Sequence, residues 1–84
     1  MTPAQALGLI EAELQRAQTK HPVPMRSFHE AHSIIEEEYD ELKAEIFQQK
    51  RDTFAIQTEA VHLGAMAARL LVDLIGGWVK PEAK

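Results

Sequence analysis

The segment Thr53–Leu74 limits the fold more than any other part of the chain. It holds no proline. Phe54, Ile56, Ala60, Val61, Leu63, Ala65, Met66, Ala67, Leu70, Leu71 and Val72 would cover almost the whole circumference of a helix. A helix that is apolar all round is buried on all sides. The chain has 84 residues, and the two further helices it can form cannot surround this one. The sequence therefore predicts a homodimer or a larger assembly with this helix at its centre. Ala60, Gly64, Ala65, Ala67 and Ala68 are small enough to let helices approach closely.

Size leads to the same expectation. A chain this short folds as one domain, here residues 1–84, and buries only a little over roughly 60% of the surface it exposes when unfolded. Such domains usually add a disulfide, a metal or a partner chain. Without cysteine there is no disulfide and no thiolate metal site. That leaves oligomerisation, a hard metal, or both. The lack of cysteine is compatible with a reducing cytosol. The first residues show no basic start followed by an apolar core, so no signal peptide is expected. No stretch approaches the roughly 20 apolar residues of a membrane span. The expected setting is cytoplasmic, away from membranes.

The other helices announce themselves by their starts. In Thr2-Pro3-Ala4-Gln5, Thr2 can cap, Pro3 suits the first helical position and Gln5 can close a capping box. Ala6, Leu7, Ile10, Leu14 and Ala17 then recur on one face, predicting a helix over about 2–19. Pro22 and Pro24 prevent its continuation. Ser27-Phe28-His29-Glu30 is a second capping box. It predicts a helix over about 27–49, with Phe28, Ala31, Ile35, Tyr39, Leu42 and Ile46 as its buried stripe. Asp52 or Thr53 caps the third helix, over about 53–75. Gly76-Gly77 should end it in the left-handed conformation. Residues 76–84 form a tail. The expected fold class is all-α: an antiparallel three-helix chain that oligomerises into a four-helix-bundle-type assembly.

Charge is unevenly spread. Net charge is −4, and seven of the 13 acidic residues fall between Glu30 and Glu45, with Lys43 as the only Lys or Arg among them. Such a face attracts cations and repels nucleic acid. No basic stripe could follow a phosphate backbone, so nucleic-acid binding is a poor reading. At 100° per residue, Glu38, Glu41 and Glu45 flank the apolar stripe of the second helix. Glu38 and Glu41 are three apart, Glu37 and Glu41 four apart. Each like-charge pair destabilises an isolated helix by a few tenths of a kcal/mol, a cost that a divalent cation would offset. Most charge runs are plain solvated faces. Two features weigh against that here. Glu38 borders the apolar stripe, and the third helix carries its own polar stripe of Thr58, Glu59, His62, Arg69 and Asp73. Glu59 and His62 repeat the spacing of three, so two helices could converge on one site. Arg69 and Asp73, four apart, can simply pair.

The series Glu37-Glu38-x-x-Glu41 followed by Glu59-x-x-His62 resembles the MazG-like all-α nucleoside triphosphate pyrophosphohydrolases. The flanking His29-Glu30-Ala31 and Ala65-Met66-Ala67-Ala68-Arg69 are similar as well, and the likeness spans roughly residues 27–75. It implies antiparallel helices that dimerise into a four-helix bundle. It further implies hydrolysis of a nucleoside triphosphate, or related nucleotide, to the monophosphate and pyrophosphate. Glu38, Glu41 and Glu59 would match the family's Mg²⁺ ligands, with Mn²⁺ as the alternative ion. His62 stands where the family usually has Asp. Glu37 or Glu41 would orient or deprotonate the attacking water. Lys43, Lys50, Arg51 or Lys80 would hold the distal phosphates, and Trp78 or Phe28 would stack on the base, although Phe28 more readily packs in the core.

Imidazole is a poor Mg²⁺ ligand, so three readings of His62 stay open. The site uses a softer metal; or His62 sits behind the ligands and touches phosphate or water, the favoured case; or the site has lost activity. His29 is expected in solvent and His32 in a helix interface. The runner-up function is a catalytically degenerate helical oligomerisation or interaction module. A plain divalent-cation binder is the third.

Overall fold

In a computed structural model, which describes residues 1–77, the chain folds as three α-helices, α1 (Pro3–Lys20), α2 (Phe28–Ile46) and α3 (Thr53–Leu74). No strand forms among the described residues. Each start is fixed by a side chain that satisfies orphan backbone N–H groups. The Thr2 hydroxyl accepts from the Gln5 N–H at 3.1 Å, and the Gln5 side chain accepts from the Thr2 N–H at 2.8 Å. Ser27 accepts from the Glu30 N–H at 3.1 Å. Here the expected box is only half made, because the Glu30 carboxylate turns instead to the backbone N–H and guanidinium of Arg26. Asp52 accepts from the N–H groups of Phe54 and Ala55.

The helix ends depart from expectation in two places. α2 stops at Ile46, not near Gln49. Phe47 already donates to the carbonyl of Lys43 as the cap, and Arg51 Nε donates to the Ile46 carbonyl at 3.0 Å. The connection thereby closes the helix itself. α3 ends without a left-handed glycine. Ile75 is extended at φ −99°, ψ 114°, and neither Gly76 nor Gly77 has positive φ.

α3 is the centre of the chain. It packs against both α1 and α2, while the backbones of α1 and α2 do not pack on one another among the described residues. α1 lies close enough for Ile10 to fill the space beside Gly64, where an added Cβ would stand 2.9 Å from Ile10 Cδ1. The turn between α1 and α2 is pinned from α3. Arg69, only 6% exposed, donates to the carbonyls of Ala17, His21 and Val23 and pairs with Asp73 at 3.0 Å. Asp73 Oδ2 in turn accepts from the Met25 N–H at 2.9 Å. The pair expected from sequence is formed, and it also organises a segment whose prolines rule out helix.

The packed face of α2 is rotated from the expected stripe. Phe28 is 61% exposed and Tyr39 52% exposed. Ile34 and Glu38 turn inward beside Ala31, Ile35 and Leu42 instead. His32, expected in an interface, is exposed and lies 3.9 Å from Glu36, and His29 is exposed as expected.

Candidate metal centre

The rotation of α2 carries Glu38 to the line where it meets α3. Glu38 and Glu41 stand three positions apart on α2, and Glu59 and His62 three apart on α3, so each helix offers two donors to the same side. One ligand atom from each of Glu38, Glu41, Glu59 and His62 can be chosen so that all four lie within 4.8 Å of one another. His62 Nδ1 is 3.5 Å from Glu59 Oε2 and 3.8 Å from Glu38 Oε2. Those two carboxylate oxygens are buried and have no hydrogen-bond partner among the described residues. A buried carboxylate oxygen without a partner is costly, so two of them facing the same imidazole nitrogen make a locus that favours a cation. Three carboxylates suit Mg²⁺ or Mn²⁺, and the imidazole suits the transition ions. The donor set therefore fits a divalent cation.

The electrostatics are consistent with that geometry. Burial pushes the Glu38 carboxyl above the usual carboxylate range, and the nearby charges of Glu41, Glu59 and Glu37 push it further, against an opposing pull from His62. The site favours positive charge without holding a Lys or Arg of its own.

α1 adds two residues that the sequence reading did not single out. Glu13 Oε2 lies 3.7 Å from His62 Nε2, on the side of the ring away from Glu38 and Glu59. Arg16 grips Glu13 through Nε at 2.8 Å and Nη2 at 2.6 Å. That grip, before any other cause, holds the Glu13 carboxyl below its ordinary range. Glu13, Arg16 and His62 line one groove between α1 and α3 with Phe54 and Thr58. In sequence, Glu13 and Arg16 form an ordinary (i, i+3) surface pair, and no local signal marks them otherwise.

The remaining candidates stand apart from the four donors. Glu37, Lys43 and Lys50 are exposed, and no ion pair joins either lysine to the cluster. Arg51 commits its Nε to the end of α2. Phe28 points to solvent, not into a core. Trp78 and Lys80 lie outside the described residues. No described helix is long and apolar enough to cross a membrane. Comparison with models of known protein families, with curated proteins and with solved structures finds no match.

Proposed function

We propose that this protein is a divalent-metal-dependent nucleotide pyrophosphohydrolase that works as a homo-oligomer. The observation that carries the reading is the meeting of Glu38, Glu41, Glu59 and His62 around two unpartnered buried carboxylate oxygens. The MazG-like order of these residues along the chain supports it independently.

Glu38, Glu41 and Glu59 would hold the cation, with His62 at its edge. A dication held by these residues would supply neutralisation of the charge on the phosphate oxygens. Glu37 is outside the donor set yet near enough to disfavour charge on Glu38, and it is the carboxylate left to orient or deprotonate water. Water adds at the α-phosphorus, the α–β bridging bond breaks, and pyrophosphate leaves. Lys43, Lys50 or Arg51 would hold the distal phosphates, while Arg16, in the groove beside His62, is committed to Glu13. Incubation of the pure chain with nucleoside triphosphates and Mg²⁺ or Mn²⁺ should release monophosphate and pyrophosphate in equal amounts. No release from any nucleotide with either ion would remove the proposal.

The oligomeric half rests on what one chain leaves uncovered. Among the described residues the buried apolar side chains are Ala17, Met25, Ala31 and Ala65, three of them alanines. Phe54 is 73% exposed and Leu71 62% exposed on the helix that should be central. The radius of gyration is 14.2 Å, against about 12 Å for a compact chain of this length. Sedimentation equilibrium should give at least twice the chain mass. Leu71→Glu, which places a charge on the exposed back of α3, should shift the equilibrium toward monomer. A wild-type monomer at micromolar concentration would refute this half.

A further inference from the structure

The two nitrogens of His62 meet different surroundings. Nδ1 looks toward the orphaned Oε2 atoms of Glu59 and Glu38, at 3.5 and 3.8 Å. Those separations are too long for hydrogen bonds. Donors bound to one ion at about 2.1 Å stand roughly 3–4.2 Å apart, a range that all three His62 separations meet, that to Glu13 Oε2 included. The two sides differ because Glu38 Oε2 and Glu59 Oε2 are buried without a partner, whereas Glu13 Oε2 already accepts from Arg16, which places the ion on the Nδ1 side. Nε2 looks the opposite way, 3.7 Å from Glu13 Oε2. Glu13 is itself steadied by the two-pronged grip of Arg16 and is largely buried, its side chain 14% exposed. A histidine that binds a metal through one nitrogen almost always offers the N–H of the other to a carboxylate, a carbonyl or water, which fixes both the tautomer and the ring plane.

The geometry points to a Glu13–His62 unit that presents a neutral Nδ1 as a direct ligand beside Glu38, Glu41 and Glu59, making the site selective for a first-row transition dication over Mg²⁺. The inference rests on the metal-dependent reading above. It assigns His62 as a ligand and Glu13, on a different helix, as a positioning residue. Imidazole adds little for Mg²⁺, which prefers oxygen donors and keeps its waters, but it suits Fe²⁺, Ni²⁺ and Zn²⁺. Mn²⁺, though content with carboxylates, is a first-row transition ion that takes an imidazole more readily than Mg²⁺ does. An Asp at position 62 would give an all-oxygen set without that preference.

The test uses the full chain with Mn²⁺, Co²⁺ and Mg²⁺ added singly. Calorimetry measures affinity, and pulsed electron paramagnetic resonance on bound Mn²⁺ reads coupling to nitrogen. Wild-type protein should show imidazole nitrogen coupling, and its preference for Mn²⁺ over Mg²⁺ should exceed that of His62→Asp by about tenfold or more, the nitrogen signal vanishing in the variant. Glu13→Ala should weaken Mn²⁺ binding by about 10- to 100-fold. Glu13→Gln, whose amide oxygen still accepts from Nε2–H, should recover part of that loss at unchanged helicity. Mn²⁺ bound to wild type without nitrogen coupling would overturn the inference and leave the metal-dependent reading standing, a result independent of how the variants fold. Failure of all three ions to bind would overturn that reading as well.

Discussion

Arg69→Ala should destabilise the chain by about 3–5 kcal/mol, the range found when one partner of a buried ion pair is removed. Arg69 carries the most connected buried side chain described. Its guanidinium joins Asp73 at 3.0 Å to carbonyls at 2.6 Å (His21), 3.1 Å (Val23) and 3.4 Å (Ala17). Truncation leaves the Asp73 carboxylate, whose side chain is 9% exposed, without a cation and with only the Met25 N–H to satisfy it, and leaves the three carbonyls without their donor. Native domains hold only about 5–15 kcal/mol in total, and one this small lies toward the low end. Urea denaturation followed by circular dichroism should therefore find Arg69→Ala largely unfolded, or with a midpoint near zero denaturant. Arg69→Lys should recover little, because an ammonium lacks the planar fork that reaches Asp73 and the carbonyls together. Asp73→Ala should be costly alone, yet the double variant should cost less than the sum, since each single change strands the other group. A loss below about 1 kcal/mol for Arg69→Ala would mean that the turn between α1 and α2 is not held from α3.

These residues also mark where sequence reading succeeds and where it stops. The helix starts were legible because caps are local: Thr2, Ser27 and Asp52 each satisfy N–H groups two or three residues away. The grouping of the four donors was legible for the same reason, since each helix presents its pair at a spacing of three and only one further step, the pairing of two helices, is needed. The face that α2 buries was less legible. Phe28 and Tyr39 suggested a stripe through themselves, but apolar residues are not obliged to be inside. Ile34 and Glu38 took the inner positions. Glu13 was invisible because its meaning depends on the register of α1 against α3, set by contacts such as Ile10 against Gly64. Arg69 showed its local partner Asp73, but its bonds to Ala17, His21 and Val23 span nearly fifty residues of sequence.

Glu38→Gln should separate stability from function in opposite directions. In the metal-free protein, burial first and then the charges of Glu41, Glu59 and Glu37 disfavour the ionised form of Glu38 more than His62 favours it. Its folded-state pKa is raised, so its contribution to stability is fully present below the unfolded value of about 4.3 and is lost as pH rises through the raised folded value. The neutral amide removes that penalty at pH 7 and keeps the shape of the side chain. The variant without metal should thus melt above wild type at pH 7. The difference should shrink as pH falls through the raised Glu38 value, where the wild-type carboxyl takes up its proton. If Glu38 holds the proposed cation, divalent ions should reverse the order: wild type would gain stability by mass action on its folded state, while the variant, lacking that carboxylate, would gain little. The nucleotide hydrolysis proposed above should fall by more than about 100-fold, beyond the 10- to 100-fold typical of groups that only support metal ligands. A structural carboxylate would show the reverse, destabilised by the change at every pH and indifferent to metal. Thermal melts of both proteins across a pH series descending from pH 7 through the acid range, with and without Mn²⁺, distinguish the two cases, and a variant less stable than metal-free wild type at pH 7 would remove Glu38 from the site.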